Sequence, residues 1–281
     1  MDDSKDSDKN DLSASEITRK IVERGIEKSK MSFLSTVMLA ILAGVFLGIG
    51  GIYFTFSTAQ ITMNVFFTQI FGGVTFSLGL ILIVIAGAEL FTGNNLMVIS
   101  LAGKKITTLK LIRNWVIVFA GNYVGSISIA YLFYLTNVWS NYGGDFAIRA
   151  ISIANRKVNL DFAEAFFLAI LCNILVCLAI WLATSGRSVA SKILAIVFPT
   201  AAFIAMGFEH SIANMYFITI GLILVEDPSI PGILQQAGVS IDLSNLNMAG
   251  FLKNMLPVTI GNIVGGSIFI GLAYWFTYYR K

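Results

Sequence analysis

The chain predicts an all-α membrane protein of six transmembrane helices, an inverted repeat of three in which helices 2 and 5 are interrupted. Three observations predict it. Apolar residues make up 56% of the 281 residues and charged residues 12%, where a soluble domain carries about 25% charge. That little charge is crowded at one end, with eight acidic and seven basic residues before Met31. Two apolar segments are too long for one span, and both carry Gly-x-Glu-x4-Asn.

The chain divides into a polar cytoplasmic segment (1–30) and a six-helix transmembrane domain (31–281). Residues 1–12 lack the apolar content to fold and are expected to be disordered. Ser13-Ala-Ser-Glu16 is a capping-box sequence. After it, Ile17, Ile21 and Ile26 fall near one face with charges opposite. An amphipathic helix on the cytoplasmic surface, anchored at the membrane face, is expected. A polar start and a long first apolar run argue against a signal peptide.

A membrane helix needs about 20 apolar residues. Segments 31–56, 111–138, 162–184 and 251–279 each meet this, the last three with a charge near one edge only. Segment 66–103 holds one charge, Glu89, and segment 193–225 holds Glu209 and His210. At about 1.5 Å per residue, each overshoots a hydrocarbon core of about 30 Å. Two half-helices with a break between them fit better. With the N-terminus inside, 15 Lys and Arg residues fall on the cytoplasmic side and 4 outside. The positive-inside rule therefore puts both termini in the cytoplasm. Tyr274, Trp275, Tyr278 and Tyr279 would close the last span as an interfacial belt.

The breaks belong to an internal repeat, with halves at about 31–138 and 160–279. Gly87, Glu89 and Asn94 recur as Gly207, Glu209 and Asn214, and Gly121-Asn122-x-x-Gly125 recurs as Gly261-Asn262-x-x-Gly265. Three spans per unit force the second copy to insert upside down, and such pairs place their site where the breaks meet. Non-helical backbone at that depth must be buried or line a cavity. Gly44 and Gly48, like the other Gly pairs, would let helices approach closely.

The buried polar inventory is short: Glu89, Glu209, His210, Thr92, Asn94, Asn122, Asn173, Asn214 and Asn262. Ionisable groups at this depth are functional candidates. His210, the one histidine, changes charge around neutral pH. It would donate a hydrogen bond to an anion, or pass a proton to one. A free carboxylate would repel anions, so Glu89 and Glu209, with Asn94 and Asn214, are expected to support the breaks. The glutamates would do so by accepting bonds from the breaks' own backbone amides; a cation or proton site is the alternative. Thr92 and Asn262 would offer neutral donors. Phe76, Leu80, Leu90 and Phe203 would narrow and dewet a pore, unless they are bundle packing.

Other classes are poorly served. A net charge of +3 is too scattered for nucleic acid. Cys172 and Cys177 read as packing residues, and no metal site, nucleotide loop or nucleophile elbow is present. No cofactor, no metal and no enzyme activity is expected. A neutral-solute channel is the rival.

At these residues the chain resembles the formate/nitrite transporter family. The likeness runs through Ala86-Gly-Ala-Glu-Leu-Phe-Thr-Gly93, Ala169-Ile-Leu-Cys-Asn-Ile-Leu-Val-Cys-Leu-Ala179, Ser185-Gly-Arg-Ser188, Gly207-Phe-Glu-His-Ser-Ile-Ala-Asn-Met215 and Pro257-Val-Thr-Ile-Gly-Asn262. The resemblance implies an aquaporin-like protomer, a homopentamer in the cell membrane, and one pore per protomer. It implies passage of small monovalent anions, with formate first and nitrite, hydrosulfide or lactate as alternatives. It also implies a central site of His210, Thr92 and Asn262, and constrictions at Phe76, Leu80, Leu90 and Phe203. Asn173 and Val176 would line the path, Lys157 would attract anions from outside, and the N-terminal helix would gate. Gly93 departs from those formate channels that carry Ser there.

Overall fold

The computed structural model describes residues 11–59 and 64–280, all of it helical or connecting. The expectation of disorder for 1–12 falls largely outside these residues. Leu12, however, is held, because Ser185 Oγ donates to its carbonyl at 3.1 Å.

Helix α1 (Ala14–Lys30) starts at Ser13, and the capping box with Glu16 forms as the sequence predicts. The Ser13 hydroxyl and amide bonds hold the Glu16 carboxyl below its usual pKa. The apolar face of α1 is not laid on a membrane surface. Ile17, Ile21 and Val22 are buried against Leu96, Ile99, Trp181 and Ile270 of the bundle. Tyr274, Trp275 and Tyr279 pack against the same cluster, so most of the expected aromatic belt receives α1 instead.

The spans follow. They are α2 (Phe33–Ala59), α3 (Val65–Ala86), then the short α4 (Phe91–Asn94), a 3-10 turn (Asn95–Met97) and α5 (Val98–Ala102), then α6 (Thr108–Leu135). The second half has α7 (Asn141–Val158), α8 (Phe162–Ser185), α9 (Val189–Ala205), α10 (Ser211–Val225), α11 (Ile230–Gln236) and α12 (Met248–Ile263). The last helix runs on to Tyr279, much of it with the wider π winding. Each overlong segment is two helices: α3 with α4–α5, and α9 with α10. Helices α2, α3, α6, α8 and α12 with its extension are each long and apolar enough to cross a membrane. Exposed Phe33, Phe66, Phe198 and Leu109 face outward, as suits lipid or neighbouring subunits.

Small residues set the spacing. A Cβ on Gly125 would collide with the Ile41 carbonyl of α2, and one on Gly265 with the Ile170 carbonyl of α8. The paired glycines thus bring α6 onto α2 and α12 onto α8, as the repeat predicts.

Two helices were not expected. Helix α7 buries Phe146, Ala147, Ala150, Ile151, Ala154 and Val158. This is a period-3.6 stripe that charged and polar neighbours obscure in a hydropathy scan. Helix α11 is short and lies at 93° to α10.

Each break turns on a glycine in the left-handed region, Gly87 at φ +83° and Gly207 at φ +69°. Space is open around Gly87, and a Cβ on Gly207 would meet only the end of the Arg156 side chain. Gly87→Ala and Gly207→Ala should therefore each cost about 1–2 kcal/mol, from backbone strain alone. Thermal unfolding of the purified variants checks this.

Candidate functional site

The two breaks meet. Thr92 lies in the first turn of α4, and His210 is the N-cap of α10. Thr92 Oγ1 and His210 Nε2 are 3.0 Å apart, and both residues are buried. His210 Nδ1 accepts the Ala213 amide at 3.1 Å. An amide can only donate, so Nδ1 is unprotonated and the neutral ring carries its hydrogen on Nε2. That hydrogen goes to Thr92 Oγ1, which leaves the threonine hydroxyl hydrogen free to donate elsewhere. The sequence does bring Thr92 and His210 together.

The remaining break amides are mostly taken. Glu89 N–H donates to the Leu39 carbonyl at 3.1 Å and Glu209 N–H to the Leu168 carbonyl at 3.5 Å. Phe91 N–H donates to Asn122 Oδ1 at 2.9 Å and Ser211 N–H to Asn262 Oδ1 at 2.8 Å. Within the breaks, the amides of Leu90 and His210 have no acceptor among the described residues.

Asn262 is therefore not a free donor to a passing ion. Its Nδ2 donates to the carbonyls of Ala169 at 2.8 Å and Glu209 at 3.0 Å. Asn122 does the same for Ala40 at 2.8 Å and Glu89 at 2.9 Å. Asn173 is also committed: its Nδ2 lies 3.3 Å from the Thr92 carbonyl, 2.8 Å from Asn95 Oδ1 and 2.7 Å from the Asn262 carbonyl. It ties the first break to α12 from behind the site. Asn122 and Asn262 are spent on backbone, because polar backbone at a membrane helix break must find its partners inside the protein.

The glutamates brace the breaks, but through side chains and not through the amides expected of them. Glu89 pairs with Lys28 of α1 at 2.8 Å and accepts from Asn94 at 2.7 Å. Glu209 pairs with Lys157 of α7 at 2.8 Å and accepts from Asn214 at 2.6 Å. Asn114 receives a bond from Asn94, and Asn254 one from Asn214, each at 2.8 Å. Lys28, Asn114 and Asn254 escaped sequence reasoning. The signal was present: Lys28 and Lys157 each precede the carbonyl that the brace asparagine holds, Ala40 or Ala169, by twelve residues. Helix α1 is thus the counterpart of α7 in the repeat. The α7-side lysine is also not a free charge, because Glu209 neutralises it.

The apolar candidates collect around this centre. Phe76, Leu80, Leu90, Phe203 and Val176 are all buried in one cluster. Phe203 stacks near the His210 ring with centroids 6.0 Å apart, and Phe76 meets Phe203 edge-on at 6.1 Å. A cavity opens on each side. One, of about 300 Å³, is lined by Lys28, Glu89, Leu90, Gly93 and, from α1, Ile21 and Arg24. The other, of about 310 Å³, is lined by Phe54, Phe208, Phe217, Lys157, Glu209 and two arginines. Among the described residues no group of His, Cys, Asp and Glu could hold a metal.

Two cavities, one beside each break, flank a buried and doubly interrupted centre, the arrangement of a membrane channel or transporter. The chain belongs to the formate/nitrite transporter family, whose sequence model matches residues 15–276. It is 41% identical over 262 residues to the formate channel FocA of Escherichia coli K12, covering 92% of each chain. A solved pentameric formate channel with formate bound superposes with a TM-score of 0.79 at 37% identity, over 88% of this chain and 98% of that one. A solved FNT family ion channel gives 0.82 at 29% identity, over 93% and 98%. The family is one of transporters, not enzymes.

Proposed function

We propose that the protein conducts formate across the cell membrane, one pore per subunit of a homopentamer, with His210 coupling passage to protons. The observation that carries this reading is the 3.0 Å contact between His210 and Thr92 where the two breaks meet. An anion arriving there has shed water against Phe76, Phe203 and Leu90, which is costly for a full charge. The Thr92 hydroxyl, the free amides of Leu90 and His210, and the positive end of α10 offset that cost. No uncompensated carboxylate opposes it, because Glu89 and Glu209 are both ion-paired. With the termini cytoplasmic, the Lys28 cavity is the inner mouth and the Lys157 cavity the outer one. Helix α1 forms a wall of the inner mouth, so its displacement would unpair Glu89 and widen that mouth. This supports the gating expectation.

Nitrite, hydrosulfide and lactate share the required charge. Flux into proteoliposomes of each anion, at two pH values and with an imposed membrane potential, tests the reading. Formate should cross fastest, faster at acid pH. Flux of glycerol or ammonia but of no anion would replace it with a neutral-solute channel.

A further inference from the structure

The cavity on the Lys157 side holds more positive charge than a monovalent anion needs. Its lining includes Arg149, Arg156 and Lys157, and Glu209 is the one carboxylate among the lining residues. Glu209 is already bound to Lys157 at 2.8 Å. Among the described residues no carboxylate pairs with either arginine. Among the described residues Arg149 is held by a 3.3 Å bond from its Nε to Thr58 Oγ1. The Arg156 guanidinium rests over the glycine of the second break, where a Cβ on Gly207 would lie 2.9 Å from it. Two guanidinium charges are therefore left over in a cavity of about 310 Å³.

Arg149 is half-buried and Arg156 exposed at the mouth, and no ion pair among the described residues offsets their repulsion. Burial pulls the pKa of Arg149 below its ordinary value, and the neighbouring charge of Arg156 pulls it further. Arg149 and Arg156 lie seven residues apart on α7, about two helical turns, so both project from one face toward the mouth. Guanidinium forks match the oxygen pairs of an oxyanion. Gln69 and Ser152, also in the lining, add neutral polar groups. A monovalent anion would cancel one of the two charges, whereas a divalent oxyanion cancels both.

We propose that Arg149 and Arg156 form a binding site for a divalent oxyanion of the sulfate or phosphate class, separate from the His210–Thr92 centre. An ion held there stands over the Lys157 mouth and slows entry from that side. Binding does not depend on the formate reading; only the inhibition does.

Sulfate is the probe, because it stays divalent at every working pH. Calorimetric titration of the purified, lipid-depleted protein in detergent should show saturable sulfate binding, with chloride at equal ionic strength giving none. Arg149→Gln/Arg156→Gln should weaken it at least about tenfold, and Arg149→Lys/Arg156→Lys should fall between, since charge is kept and the fork is lost. Both variants should elute as wild-type oligomers. In proteoliposomes, external sulfate should slow wild-type formate entry and leave entry through the double-Gln variant unaffected. Equal heats for sulfate and chloride, or unchanged sulfate affinity in the double-Gln variant, would overturn the site. A titration with short-chain phosphatidic acid separates the lipid source of the same chemistry. Binding of that lipid without binding of sulfate would also overturn the proposal. Absent formate flux beside intact, arginine-dependent sulfate binding would count against the transport reading alone.

Discussion

Replacing His210 with asparagine is expected to preserve the oligomer and flatten the pH dependence of formate flux. The ring does two separable jobs. Nδ1 caps α10 by accepting from Ala213, and Nε2 reaches Thr92. Asparagine is a strong N-cap and can keep the first job. Its amide is too short to keep the second. If the histidine relays protons, wild-type uptake should be faster at about pH 5.5 than at about pH 7.5. His210→Asn should then give the same flux at about pH 5.5 and about pH 7.5. At the acid end it should be down at least about tenfold, in line with losing one positioned donor in a dry site. His210→Phe removes the cap as well, and should add a stability loss of about 1–2 kcal/mol. Should both variants keep the wild-type ratio between the two pH values, the relay is wrong, and His210 serves α10 and Thr92 only as a structural cap.

Much of this centre was legible in the chain. A charged residue inside an overlong apolar segment is rare enough to mark a break, and the shared Gly-x-Glu-x4-Asn aligned the two breaks without coordinates. That alignment brought Thr92 and His210 together. Hydrogen-bond direction was not legible. Asn262 looked like a donor to an ion, and Asn173 like a residue lining the path, because sequence shows an amide's presence but not what already occupies it. The glutamates were recognised as braces, yet their partners come from α1 and α7, which a hydropathy scan ignores. Lys28 lies 61 residues before Glu89, outside any span. Its role follows from the repeat once α7 is seen to be a helix, and α7 was hidden by its polar face. For the same reason Lys157 looked like a free charge, and Arg149 and Arg156 counted only toward the orientation of the chain.

Asn122→Ala and Asn262→Ala are expected to destabilise the protein by nearly equal amounts, about 3 kcal/mol each. Either change orphans one amide N–H, of Phe91 or Ser211, and one break carbonyl, of Glu89 or Glu209, and removes a second bond from the carbonyl of Ala40 or Ala169, which keeps its helical partner inside α2 or α8. A buried group left unpaired costs about 1–3 kcal/mol. Polar bonds inside membrane bundles average less, about 0.6 kcal/mol, because the unfolded chain in lipid finds substitutes. Here the substitutes are poor: the Phe91 or Ser211 amide and the Glu89 or Glu209 carbonyl sit at helix breaks, where no intrahelical partner exists to replace the side chain. The lower figure therefore understates the loss. Thermal unfolding of each variant in detergent measures it, and formate flux should collapse with stability in both. The equality matters more than the size. The two asparagines lie in opposite halves and hold matching atoms at matching distances, so a repeat that works as a symmetric pair must register their loss alike. A large penalty at Asn262 beside a small one at Asn122 would mean that the His210 break alone carries the strain of the pore, and that the Thr92 break is held by Lys28 and α1.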